Sequence, residues 1–152
     1  MSGETEVFFY QLESRTLEQV LPALLERSLE RGWRAAVQAT SQERVDALNT
    51  LLWTYREDSF LPHGADADGS PEAQPVYLTD TDANPNSAAV RFLVDGASLE
   101  GVGDYERVVH IFDGHDADAV ARAREAWSAA KDRGLSVSYW QQDQNGRWQQ
   151  KA

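Results

Sequence analysis

The chain contains no cysteine and is short of cations: 14 Lys and Arg stand against 25 Asp and Glu in 152 residues, for a formal net charge of −11. Without thiols there are no disulfides, no thiolate zinc sites and no cysteine nucleophile. A uniformly acidic surface repels a phosphate backbone, so a broad DNA- or RNA-binding face is not expected, although a small local basic patch stays possible. No apolar run approaches the roughly 18 residues of a membrane span. The start, Met1-Ser2-Gly3-Glu4-Thr5-Glu6, lacks the basic region and apolar stretch of a signal peptide. The reading is a soluble, cytoplasmic protein with no membrane partner.

Catalytic and cofactor motifs are missing too. His63, His110 and His115 share no metal-ligand spacing and read as unrelated surface or half-buried histidines. Asp80-Thr81-Asp82-Ala83-Asn84 resembles the start of a calcium loop, but Pro85 and Arg91 stand where such a loop needs glycine and glutamate. Gly101-Val102-Gly103 does not complete a dinucleotide fingerprint, and it precedes a strand where the fingerprint would open a helix. GxSxG is absent. No cofactor, metal or catalytic residue is assigned.

What is present suits one domain spanning 1–152, with 41% apolar residues to fill its core. Val7-Phe8-Phe9-Tyr10 reads as a buried first strand. Thr16 to Gln19 fits a capping box that opens a helix ending at Gly32, with Pro22 expected to push its regular start a few residues later. Further strands are expected over 34–40, 76–79, 88–94, 108–112 and 137–141, and further helices from Ser41 and over 116–133. Residues 58–74, rich in proline and glycine, read as a long loop. A turn and short extension follow at Asn145-Gly146-Arg147-Trp148. Strands alternating with helices predict a three-layer α/β/α fold around a largely parallel sheet, Rossmann-like but without a nucleotide site.

Two features carry functional weight. At the end of the second helix, Leu51 to Gly64 holds Trp53, Tyr55, Phe60, Leu61 and Pro62. Aromatics at such a junction either fold back onto the domain or anchor an interface. On the last long helix, Val120, Arg124, Trp127 and Lys131 are spaced as one stripe, with Arg122 and Arg133 nearby. This is either a solvated face with the tryptophan tucked inward, or a pocket in which cations take the carboxylates of an acidic peptide and Trp127 supplies an apolar wall.

These features resemble the chi subunit family of bacterial DNA polymerase III. The segment LLWTYREDSFLPHG at 51–64 is similar to that family's most recognisable motif. The remaining pieces follow in order: the FFY-type first strand, Gln74-Pro75-Val76, Arg107-Val108-Val109, Phe112-Asp113-Gly114, Ala121-Arg122-Ala123-Arg124, Tyr139-Trp140-Gln141-Gln142 and Gly146-Arg147-Trp148. The resemblance implies a non-catalytic accessory subunit of the polymerase holoenzyme. It would link the clamp loader to single-stranded-DNA-binding protein (SSB) by binding the acidic SSB C-terminal tail, so that any DNA contact is indirect. It implies that Arg124 and Trp127 receive that tail. A further basic family position falls on Val120, with Lys131 or Arg122 as candidate substitutes. It also implies that Trp53 and Phe60, with Leu61 and Pro62 beside them, meet the psi subunit or another clamp-loader component, a surface for which a repair helicase competes in some members. Two other readings stay open: a small α/β enzyme whose site would bring His63 or His110 against carboxylates, and a scaffold that self-associates through the Trp53–Phe60 patch.

Overall fold

The computed structural model describes residues 5–54, 64–65, 74–97 and 105–152, with the elements alone described at 53–54 and 64–65. In chain order the strands are β1 (Glu6–Leu12), β2 (Ala35–Gln38), β3 (Gly64–Ala65), β4 (Val76–Thr79), β5 (Val90–Leu93), β6 (Arg107–Asp113), β7 (Ser136–Gln142) and β8 (Trp148–Gln150). The helices are α1 (Leu17–Glu30), α2 (Gln42–Thr54) and α3 (Ala117–Asp132). One sheet runs β3-β4-β2-β5-β6-β1-β7-β8. Every neighbouring pair is parallel except the β7–β8 hairpin. The expected three-layer α/β fold is therefore the one observed.

The strand order shows where the faces come from. From β1 the chain crosses past β6 and β5 to reach β2, carrying α1; from β6 it crosses past β1 in the opposite direction to reach β7, carrying α3. Parallel crossovers share one hand, so two that travel in opposite directions place their helices on opposite faces. The side chains of β1 divide accordingly. Leu12 joins the α1–α2 core with Leu21, Leu25, Leu48, Val37 and Phe92. Val7 and Phe9 join Ala123 under α3.

Local chemistry sets the helix ends. The Gln19 N–H donates to Thr16 Oγ1 at 3.3 Å and the Thr16 N–H to Gln19 Oε1 at 2.8 Å, a complete capping box. Pro22 does not delay the helix as expected. α1 is helical from Leu17, and Pro22 is buried inside it. The intrahelical ladder begins at Val20, whose N–H donates to the Thr16 carbonyl, so Pro22 two residues later forgoes a single bond within an established first turn. Gly32 and Gly134 follow α1 and α3 at φ +81° and +77°, the left-handed geometry that favours glycine after a helix. Asp116 caps α3 by accepting from the Asp118 and Ala119 amides.

On the α3 side, the β2–β4–β5 part of the sheet is covered by irregular chain. Arg91, 0% exposed, holds it. Its guanidinium donates to Gln38 Oε1 at 2.7 and 2.9 Å, to the carbonyls of Thr81 and Ala83, and to the Tyr105 hydroxyl at 3.1 Å. All these acceptors are neutral, so a buried charge is solvated by protein dipoles. We expect Arg91→Ala to lower unfolding free energy by about 2–4 kcal/mol, since it strands several buried acceptors. Urea unfolding followed by circular dichroism measures the loss, and a change under about 1 kcal/mol, the net worth of one ordinary hydrogen bond, would show that Arg91 does not hold this layer.

Candidate functional site

β1 and β7 are adjacent and parallel, pairing Phe9 with Tyr139, and α3 lies over both. Phe9, 0% exposed, stacks on His110 at 4.6 Å between ring centroids and meets the Trp127 ring edge-on at 5.6 Å. Trp127 also meets Tyr139 edge-on at 5.8 Å. These contacts fix the indole as the half-buried edge of the α3 core, not a fully buried filler.

The helical repeat sorts the rest of α3. Ala123 and Ala130 point into the sheet and are buried. Val120, Arg124, Trp127 and Lys131 fall on one flank of that line, at about 100° per residue, and Arg122 and Arg133 fall on the other. The contacts agree. Lys131 Nζ sits 5.6 Å from the Trp127 ring centroid. Burial pushes the Tyr139 phenol up, while the Arg124 guanidinium nearby pulls it back down. The Lys151 N–H donates to the Tyr139 carbonyl at 2.7 Å, which places Lys151 on the edge beside Tyr139. Arg124 and Lys131 are exposed and have no ion-pair partner among the described residues. The site is thus a half-buried indole and phenol bordered by uncommitted cations, which suits a carboxylate carried next to an apolar group.

Arg122 is not part of this group. Its guanidinium lies over Gly96, 3.5 Å from where a Cβ would stand, across the helix from Arg124. Val120 is half-buried on the Trp127 flank and adds apolar surface without charge. Trp53 lies in the last turn of α2; Phe60, Leu61 and Pro62 lie outside the described residues. Tyr139 and Lys151 join the site without being evident from the sequence. The alternation of β7 around Val137 and Tyr139 is the available signal for the first; Lys151 depends on the hairpin return, which leaves no periodic trace.

A cleft of about 1020 Å³ opens at the C-terminal ends of the strands, where the two crossovers diverge. This is where open α/β sheets bind ligands. Here three successive backbone donors are taken. Gln142 Oε1 accepts from the successive amides of Glu13, Ser14 and Arg15 at 2.9, 3.2 and 3.1 Å, occupying a nest that could otherwise hold an anion. Arg44 in the cleft is paired with Glu18 at 2.9 Å and Asp95 at 2.6 Å. His110 meets the Phe9 ring, with no carboxylate partner among the described residues. His115 is exposed and reaches the Glu13 carbonyl at 2.7 Å and its carboxylate at 3.5 Å; both raise its pKa. His63 lies outside the described residues. No group of three or more His, Asp or Glu is placed to hold a metal ion among the described residues. No helix among them is long and apolar enough to cross a membrane.

Burial drives the His110 pKa down to about 4. An unfolded histidine titrates near 6.5, so between about pH 6.5 and 4 the unfolded chain takes up a proton that the folded chain refuses. Stability should therefore fall as pH drops through that window, by about 2–3 kcal/mol from this residue. Urea unfolding at intervals from neutral pH down to about 4 should show this dependence in the parent and a weaker one in His110→Gln. An unchanged pH dependence in the variant would assign the effect to other groups.

Comparison with known proteins adds to this geometry. A family model described as DNA polymerase III chi subunit, HolC, matches residues 5–138. A protein of Rickettsia prowazekii (strain Madrid E), named "Probable DNA polymerase III subunit chi", is 26% identical over 103 residues. That match takes in 68% of this chain and 62% of the relative, so less than two thirds of the relative's length is spanned.

Proposed function

The chain belongs to the DNA polymerase III chi subunit family, and from that premise we propose that it is a non-catalytic adaptor that binds the acidic C-terminal tail of SSB on the Arg124–Trp127 flank of α3. The observation that carries this reading is the uncommitted Arg124 beside a half-buried Trp127, in a chain of net charge −11. A tail ending in an apolar residue and a free carboxylate would lay its side chain against Trp127 and Tyr139 and its carboxylate against Arg124. Lys131 and Lys151 would take the acidic residues that precede the end. Arg122, across the helix, would contribute only to the wider field.

Val120 supplies no charge, so affinity rests on fewer cations. Binding should be weak to moderate and should weaken with salt. Many SSB tails held close together on DNA would raise the effective affinity through multivalency. The second side of the adaptor is the proposed docking surface for psi or another clamp-loader component, built around Trp53, Phe60, Leu61 and Pro62. A repair helicase is the proposed competitor there. Those residues rest on the family motif at 51–64.

Calorimetric titration with a peptide of the host's own SSB tail tests the α3 site. Arg124→Ala should lower affinity by about 1–3 kcal/mol, the range for losing a charge-assisted hydrogen bond. Val120→Lys should raise affinity by restoring a cation one turn away. Unchanged binding in Arg124→Ala would remove this arginine from the site.

A further inference from the structure

The face of the β1–β7–β8 edge opposite α3 carries a different chemistry. α1 crosses toward β2, so Phe8, Tyr10 and Trp148 pack only against the margin of the α1–α2 core, and aromatic rings pave this end of the sheet. Phe8, Tyr10, Trp140 and Trp148 form one connected set, with centroid distances of 6.1 Å for Phe8–Tyr10, 6.3 Å for Phe8–Trp140, 6.4 Å for Tyr10–Trp140 and 4.5 Å for Tyr10–Trp148. All four are half-buried, unlike the fully buried Phe9 on the other face.

Arginines continue the set. The Arg107 guanidinium lies 4.1 Å from the Phe8 ring and 5.2 Å from the Trp33 ring, and Arg31 lies 4.0 Å from Trp33. Arg27 and Arg107 both act on the Tyr10 phenol. A cavity of about 370 Å³ opens between Arg27, Arg31, Arg107, Trp33 and Tyr10, at the small end of ligand-sized pockets. Two carboxylates adjoin it: Glu6, paired with Arg107 at 2.9 Å, and Glu30 on the cavity wall.

Among the described residues at this cavity, three guanidinium groups, Arg27, Arg31 and Arg107, stand against two carboxylates, Glu6 and Glu30, so the local balance is positive in a chain of net charge −11. We infer that the Trp33–Phe8–Tyr10–Trp140–Trp148 strip is a contact surface for single-stranded nucleic acid, with bases stacking on the rings and phosphates meeting Arg27, Arg31 and Arg107. An open sheet face of aromatics edged by guanidinium groups is the arrangement that single strands favour, because every base has a face to stack and no duplex groove is needed. This surface lies on the opposite sheet face from the Arg124–Trp127 flank, so either proposal can fail while the other stands.

Fluorescence anisotropy of a labelled (dT)15 oligonucleotide titrated with the full chain tests it. In about 20 mM salt we expect a dissociation constant on the order of 10⁻⁵ M, within the span of sequence-independent binding. Trp140→Ala should weaken binding about tenfold, as expected when one base no longer stacks. Arg27→Glu with Arg31→Glu, exposed positions in the last turn of α1 and at its C-cap, leaves the core untouched. It should reduce the salt dependence by about 0.7 in log–log slope for each phosphate that is no longer neutralised. No anisotropy change in low salt would overturn the inference. So would equal affinity for a duplex of the same length, binding that the double variant leaves unchanged, or capture at this strip of an acidic helical peptide but not of the oligonucleotide.

Discussion

The contact of Phe9 with Trp127 is the interaction on which the candidate site depends. Phe9 is fully buried on β1, which runs between β6 and β7, and its ring meets those of His110, Trp127 and Tyr139. Trp127 is thereby held at the margin of the core, with Arg124 and Lys131 outside it on the same flank of α3. If the indole moved inward the flank would become an ordinary charged helix face; if it swung outward α3 would lose its largest side-chain anchor on the sheet. The position depends on the opposed crossovers, which put α3 on the odd-numbered face of β1 and α1 on the other.

The same topology creates a problem that the chain solves with polar side chains. Among the described residues one helix covers the α3 face and two cover the other, and Ala88, Ala97 and Tyr105, on irregular chain outside helix and strand, pack over β2, β4 and β5. Arg91 joins that chain to Gln38 and Tyr105 without any carboxylate. At the other end of the sheet, Gln142 closes the turn after β1 by accepting three successive amides. Both are buried polar groups that define one arrangement of loops. The second occupies the place where a nucleotide phosphate would sit in a fold of this class, which gives a physical reason for a Rossmann-like sheet to serve as a scaffold for surfaces.

Much of the fold is legible in the sequence because its signals are local. The Thr16–Gln19 capping box, the run Val76-Tyr77-Leu78-Thr79 and the stop at Gly134 each declare an element through neighbouring residues. Pro22 departs from expectation because a proline near a helix start costs one hydrogen bond and not the helix. The strand order is a long-range property that leaves no local trace, so the face on which each aromatic lies cannot be assigned from the sequence. The site is legible in part for the same reason. The i, i+4, i+7, i+11 spacing brings Val120, Arg124, Trp127 and Lys131 to one stripe. Arg122 is close in sequence but lies across the helix, and Tyr139 and Lys151 join only through the β1–β7–β8 pairing.

We propose that one flank of α3, and not the cleft above the strands, receives an acidic peptide end. Backbone amide spectra recorded by NMR during titration with the SSB tail peptide test it most directly, with and without a free terminal carboxylate. Shifts should concentrate at residues 120–131 and around Tyr139 and Lys151, and should be largely abolished when the terminus is amidated. Shifts centred on Gln142, Arg44 and Gly96, or shifts indifferent to the terminal carboxylate, would contradict it.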